Sequence, residues 1–306
     1  MHGMIVLIAM GGVAGAVLLL WVFGERWRLL RPSTRELMRE QGLKNMLNLK
    51  ALDSYVYMRW VKQYVKILLR ALPFSSERGR NKLHDKYHGK VITHDHARAI
   101  ITLNKSIPLR DLEQVIPYPT ARDLVLTGPP DVVVTECSCR HARPNYCEPT
   151  QVCMLIGKPF SDFVLEHHPK TSRRLAQSEA LELLRQEHER GHLHSAWFRD
   201  IQLNRFYSIC NCCKCCCLGL EAMVKYGAPS LASSGYVAHV DTSQCDACGK
   251  CGNACPFEAI KTDKAAVVQW EKCMGCGVCV SQCPNEAVSL VRDEKKGVPF
   301  DVRLMV

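Results

Sequence analysis

Eighteen cysteines occur in 306 residues, and they are crowded rather than scattered. Thiolates are soft ligands for iron, zinc and copper, so their spacing decides what chemistry they can support. Eight fall into two copies of one unit set 28 residues apart. The first copy is Cys245, Cys248, Cys251 and Cys255, followed by Pro256; the second is Cys273, Cys276, Cys279 and Cys283, followed by Pro284. Glu258-Ala259-Ile260 is echoed by Glu286-Ala287-Val288. In such a C-x2-C-x2-C-x3-C-P run, three thiolates wrap three irons of one cube and the fourth reaches the other cube. Two 4Fe–4S clusters are therefore expected. Cys245, Cys248, Cys251 and Cys283 would hold one, and Cys273, Cys276, Cys279 and Cys255 the other. Zinc also takes four thiolates, but the tandem runs, each closed by Cys-Pro, speak against it. Gly249, Gly252, Gly275 and Gly277 let the backbone approach sulfide and donate hydrogen bonds that tune the potential.

Ten cysteines remain: Cys137, Cys139, Cys147 and Cys153, then the run Cys210, Cys212, Cys213, Cys215, Cys216 and Cys217. Adjacent cysteines rarely satisfy disulfide geometry. In a chain of this length, crowding reads as metal ligation in a reducing compartment. The two stretches are expected to share one site in which a subset binds at least one further iron–sulfur cluster. Zinc and buried structural thiols are the alternatives. Arg140 and Lys214 stand where they can offset cluster charge. The close pairs His94/His96, His167/His168 and His192/His194 read as structural or exposed rather than as ligands.

The elements that position these residues are legible in part. Met4–Phe23 is an uncharged apolar run, long enough at about 1.5 Å per residue to span about 30 Å of hydrocarbon. Arg26, Arg28 and Arg31 follow it, with Trp21 and Trp27 at the interface. No basic n-region or small-residue cleavage site marks a signal peptide. Residues 1–24 are expected to be a single-pass anchor in the cytoplasmic membrane, with the rest of the chain in the cytoplasm. Residues 25–90 read as a basic helical region and connector, with 17 Lys/Arg against 7 Asp/Glu between Gly24 and Ile100. Ser33 with Glu36 fits a capping box, and apolar residues recur at helical spacing from Leu43 to Leu72. That helix either docks on the body or lies on anionic lipid. Residues 91–236 form the cysteine-rich domain, with helices over Ser178–Arg190, stopped by Gly191, and Leu218–Tyr226. Residues 237–306 form a two-cluster ferredoxin domain, with strands at Val237–Val240, Val267–Trp270 and Val288–Val291. The fold class is thus α+β: a transmembrane helix, a mixed and mostly helical middle domain, and a C-terminal ferredoxin-like domain.

From Tyr87 to Ile260 the chain resembles a bacterial and archaeal family of multi-cysteine 4Fe–4S dicluster proteins. The likeness rests on YHGKVI (Tyr87–Ile92), VVVTECSCR (Val132–Arg140), the Cys147 and Cys153 pair, and FVLEHHP (Phe163–Pro169). It continues through GHLH (Gly191–His194), FYSICNCCKCCC (Phe206–Cys217), LASSGYV (Leu231–Val237) and the repeats. The resemblance implies iron–sulfur binding; the family is defined by its clusters, not by a reaction. The CCC run is also similar to a cysteine-rich motif of heterodisulfide reductase subunits, but the duplicated CCG pattern is absent and that activity is not carried over.

The expected function is membrane-anchored electron transfer, as a carrier or electron-input subunit of an oxidoreductase. Its partners would be membrane-associated redox proteins and the lipid around residues 4–23. No nucleic acid is expected, since the chain has no nucleic-acid fold signature. One alternative is a reductase subunit whose middle domain holds a substrate-converting cluster, marked by three protein ligands and an open iron. A weaker alternative is a redox sensor, for which no output domain is visible.

Overall fold

The computed structural model describes residues 12, 15, 19, 31–40, 49–84, 87–111, 115, 123–199 and 205–305. In chain order the helices are α1 (Pro32–Glu40), α2 (Leu49–Arg59), α3 (Val61–Ala71), α4 (Glu77–His84), α5 (His94–Ile101), α6 (Ser138–His141), α7 (Phe160–His167), α8 (Gln177–Glu189), α9 (Leu218–Tyr226), α10 (Lys250–Ala254) and α11 (Val278–Ser281). The strands are β1 (Tyr87–Val91), β2 (Ile107–Asp111), β3 (Asp123–Leu126), β4 (Val132–Glu136), β5 (Gln151–Ile156), β6 (Ser172–Leu175), β7 (Leu193–Arg199), β8 (Phe206–Cys212), β9 (Leu231–Ala232), β10 (Tyr236–Val240), β11 (Ile260–Thr262), β12 (Ala266–Val268) and β13 (Val288–Arg292).

Seven strands form one sheet in the order β6-β4-β5-β8-β7-β1-β9, antiparallel except for the β1–β9 pair. Period-two alternation sends its side chains into two cores. Val133, Leu155, Leu193 and Trp197 face one side, where α2 and α7 add Tyr55, Tyr57, Phe160 and Phe163. Val132, Val134, Met154, Ala196 and Phe198 face the other, where α5 and α8 add Ile100, Ile101, Ala180 and Leu184. Both faces are covered, so β7 is buried along its whole length.

Two expectations are corrected here. The middle domain is built on a sheet and is not mostly helical. Its central strands β7 and β8 are covered on both sides, so they lack the apolar–polar alternation that marks a half-exposed strand. The transmembrane helix is the other. Among the described residues no helix is long and apolar enough to cross a membrane. The longest described helix, α8, has 13 residues, about 20 Å against the roughly 30 Å of a hydrocarbon core. Residues 4–23 lie, apart from 12, 15 and 19, outside the described residues.

The basic region docks on the body instead of forming one long helix. Its periodic stretch is broken at Trp60 into α2 and α3, which lie over the cysteine-bearing face of the sheet. Ser33 sits inside α1, and its amide and hydroxyl donate to the Glu166 carboxylate rather than forming a box with Glu36. At this seam the buried His167 ring stacks on Phe163, 4.1 Å between centroids, and its Nε2 lies 2.8 Å from Thr34 Oγ1. Burial, reinforced by the Arg31 and Arg59 guanidinium groups, pushes the His167 pKa from 6.5 down to about 3. A histidine with a depressed folded pKa stabilises the fold above its unfolded pKa and loses that contribution as pH falls towards the folded value. The attachment of α1 and α2 should therefore weaken between pH 6.5 and 3, by about 1–2 kcal/mol at pH 5. Amide hydrogen exchange in α1 should report the loss, and His167→Gln should flatten its pH dependence. An α1 protection that stays level from pH 7 to 5 would contradict this.

The C-terminal unit repeats in backbone as well as in sequence. Its positive-φ residues come in pairs 28 apart: Ala247 and Gly275, Gly249 and Gly277, Glu258 and Glu286. β10 pairs with β13, β11 with β12, and α10 packs on α11. At Gly275 (φ +62°) a Cβ would come 2.6 Å from the Tyr236 carbonyl carbon, so only glycine allows the loop this close to the strand. The unit is fastened to the sheet at a helix end. Ser281 Oγ donates to His188 O at 3.3 Å and Gln282 Nε2 to Glu189 O at 2.9 Å, both carbonyls belonging to the last turn of α8. Beyond the repeats the chain returns, and Phe300 and Val302 are buried in the same core as Phe198 and Phe206.

Candidate metal centres

All eighteen cysteines are unpaired thiols, and they gather in distinct groups. In the C-terminal unit, Cys245, Cys248, Cys251 and Cys283 line one small cavity. Cys276 and Cys279 lie beside Cys273 and Cys255. The fourth cysteine of each run is thus carried across to the other copy, because the short helix it terminates packs on its counterpart. Burial, and the crowding of like thiols, push the Cys251, Cys276 and Cys279 pKa values up, the last to about 12. Apolar pockets of this kind release such thiols as thiolates to a metal more readily than to solvent. Backbone amides already point at sulfur: Ala259 N–H donates to Cys255 Sγ at 3.3 Å and Ala238 N–H to Cys273 Sγ at 3.4 Å. The donor set, its burial and these amides fit two iron–sulfur clusters.

In the middle domain, the ten cysteines divide into six and four. Cys137, Cys139, Cys217, Cys212, Cys210 and Cys153 form a closed ring of neighbouring thiols, each interacting with the next. The Cys217–Cys212 link measures 3.4 Å. Strand geometry explains half of it: Cys210 and Cys212 are two apart on β8 and share a face. Cys153 stands on the neighbouring β5, one residue before the Met154–Ile209 register pair. Cys137 and Cys139 bracket the start of α6, and Cys217 precedes α9. Hydrogen bonds from Cys210 and Cys217 hold the Cys212 pKa down to about 7. Cys137 is held low in the same way, by Cys139 and Cys153, so two thiols across the ring from each other ionise most readily.

The ring lines one wall of a cavity of about 880 Å³ between the sheet and helices α2 and α3. The opposite wall includes Tyr57, Trp60 and Tyr64. Arg199, almost fully buried, stacks on Tyr57 at 3.8 Å and donates to the Tyr64 hydroxyl at 2.9 Å. The Tyr57 and Tyr207 hydroxyls lie 3.0 Å apart.

The other four thiols, Cys147, Cys213, Cys215 and Cys216, have all their sulfurs within 4.8 Å of one another. Arg140 stands between the two groups with no exposed surface. It donates to Pro149 O, to Glu187 Oε2 at 3.1 Å and to Asn211 O at 3.3 Å. Burial opposes its charge, but Cys213, Cys137 and Cys147 outweigh burial and raise its pKa. Lys214, which the sequence placed beside it, is exposed and does not share this role.

The histidine pairs of the sequence are not pairs in space. His94 stacks on His188 with 4.4 Å between centroids and lies 3.3 Å from His194 Nε2. His94, His188 and His194 each offer a ring nitrogen within 4.8 Å of the others. His96 faces Asp301 at 3.7 Å, His192 bonds Glu187 at 2.6 Å, and His168 bonds Met58 O at 3.0 Å. His188 was missed from sequence because it belongs to a helix whose other positions explain themselves as packing.

No curated protein matches the chain. Residues 238–290 match the family model described as 4Fe-4S dicluster domain. The C-terminal unit is therefore a ferredoxin-type 4Fe–4S dicluster domain, and it brings two 4Fe–4S clusters to this chain.

Proposed function

We propose that the chain is an iron–sulfur reductase module in which the dicluster domain feeds electrons to a further cluster on the six-thiol ring. The observation that carries this reading is the ring's position in the wall of a substrate-sized cavity. A carrier needs its clusters wrapped, whereas a cavity of about 880 Å³ gives a small molecule room beside the thiols. No three of the ring sulfurs lie within 4.8 Å of one another, among the described residues, so the ring is too wide to grip a single ion. Six thiolates also exceed the four that one cube uses, and the soft donor set favours iron–sulfur over oxygen-ligated metals. Cys245, Cys248, Cys251 and Cys283 are assigned to one ferredoxin cluster, and Cys273, Cys276, Cys279 and Cys255 to the other. Bound clusters would supply one-electron steps at low potential. The protein's own part is to shield and connect them: Cys217 of the ring and Cys255, Cys273, Cys276 and Cys279 belong to one continuous apolar core. The electrons would come from a redox partner protein docking at the dicluster domain. Arg199 and the tyrosines would orient the substrate.

Anaerobically purified protein should carry more iron than the roughly eight atoms of two cubes. A Cys153→Ser/Cys210→Ser variant should lose the excess and keep both ferredoxin EPR signals. Cyanide should perturb only the signal that this variant loses, because an iron facing the cavity is open to it. Iron at or below about eight, unchanged in the variant, would sink the extra cluster; excess iron indifferent to cyanide would leave a wrapped carrier instead of a reductase.

A further inference from the structure

The compact quartet is a different kind of site from the ring. A single ion bound by four thiolates at about 2.3 Å sets neighbouring sulfurs about 3.8 Å apart. A cube spreads its thiolates over four separate irons, and its sulfurs stand farther apart. Cys147, Cys213, Cys215 and Cys216 fall within 4.8 Å of one another, and the Cys215–Cys216 sulfurs lie 3.4 Å apart. The dicluster domain provides the internal contrast: among the described residues no three of its eight cysteines gather within that distance. One protein thus presents thiol sets at two separations, wide where two cubes belong and narrow here.

We infer that Cys147, Cys213, Cys215 and Cys216 bind one zinc ion in a closed tetrahedral shell. Four protein thiolates leave no open position, which is the mark of a structural site. The site's place in the fold gives the ion work of that kind. Cys147 comes from the loop between α6 and β5, and the other three from the turn between β8 and α9. These two segments are continuous with the residues that supply Cys139, Cys212 and Cys217 to the ring, so an ion here fixes the ring's spacing from behind. Neighbouring groups already hold this turn: Arg143 Nε donates to Cys216 O at 3.3 Å, and its guanidinium pairs with Glu221. Arg140 on the inner side offsets the negative charge that a tetrathiolate zinc carries. Cys215 is exposed, so the ion has a route in from solvent.

The test is metal analysis of the full-length chain purified without oxygen, with EPR on the same samples. About one zinc per chain is expected. Cys215→Ser, at an exposed position that tolerates substitution, and Cys147→Ser should each reduce zinc to about a tenth or less while both ferredoxin signals keep their intensity. Cobalt(II) added to metal-stripped protein should give the intense visible bands of a tetrahedral thiolate site, absent from both variants. Wild-type protein without zinc would overturn the assignment. So would a Cys215→Ser variant that keeps its zinc, or one that loses a single iron in place of zinc. These outcomes are independent of the ring, whose iron is read through Cys153 and Cys210.

Discussion

Arg140→Met should lower the unfolding free energy by about 3–5 kcal/mol, because it strands a buried carboxylate. Glu187 has no exposed side-chain surface, and Arg140 Nη2 lies 3.1 Å from its Oε2. The charge of Glu187 survives burial only through its partners: His192 and Arg140 draw its pKa below the ordinary value, although burial works to raise it. Arg190, at 2.7 Å, and His192 remain in the variant, which places the loss towards the lower end of the range. The carbonyls of Pro149 and Asn211 lose a donor as well. A loss of this size should lower the melting midpoint by on the order of 10 °C. Adding Glu187→Gln should recover part of it, since the stranded charge is then gone. Metal content should fall alongside stability, because the two thiol groups lose the cation between them. A single variant within about 1 kcal/mol of wild type would show that the pair is not the keystone of the cysteine sites.

Arg140 also marks what the sequence reveals and what it hides. Its position one residue after Cys139 suggested a charge-balancing role, and the equally suggestive Lys214 turned out to be exposed. Sequence adjacency cannot separate them, since the difference lies in Glu187 arriving from α8, 47 residues away. The dicluster unit was legible because its ligand spacings are local and its glycines are forced by its turns. Helices α8 and α9 were legible for the same reason, each ending at a glycine in the left-handed region. The sheet was hidden: pairing β1 with both β7 and β9 joins residues more than 100 apart, and full burial removes the alternation that would betray β7. The division of the middle cysteines was hidden too. Cys212 and Cys213 are adjacent, yet one belongs to the ring and the other to the quartet, because β8 ends between them.

Cys255→Ser should abolish the cluster of the other repeat. Cys255 follows Cys251 within the first run, yet its thiol lies among Cys273, Cys276 and Cys279. α10 ends at Cys255, and its packing on α11 carries the sulfur across. A serine oxygen is a harder and weaker donor to iron than a thiolate. The expected loss is about four irons, one of the two reduced-cluster EPR signals, and the magnetic coupling between them. The decisive feature is the pattern across variants. Cys255→Ser should reproduce Cys273→Ser, and Cys283→Ser should reproduce Cys245→Ser, although each pair spans two repeats. Cys255 and Cys273 both stand beside Cys276 and Cys279, which marks the first pair as a common environment. If Cys255→Ser instead reproduces Cys245→Ser, each run holds its own cube and the crossed ligand assignment is wrong. With the crossed assignment, neither run would complete a cluster without the other, so metal binding and the packing of the two short helices would be a single event.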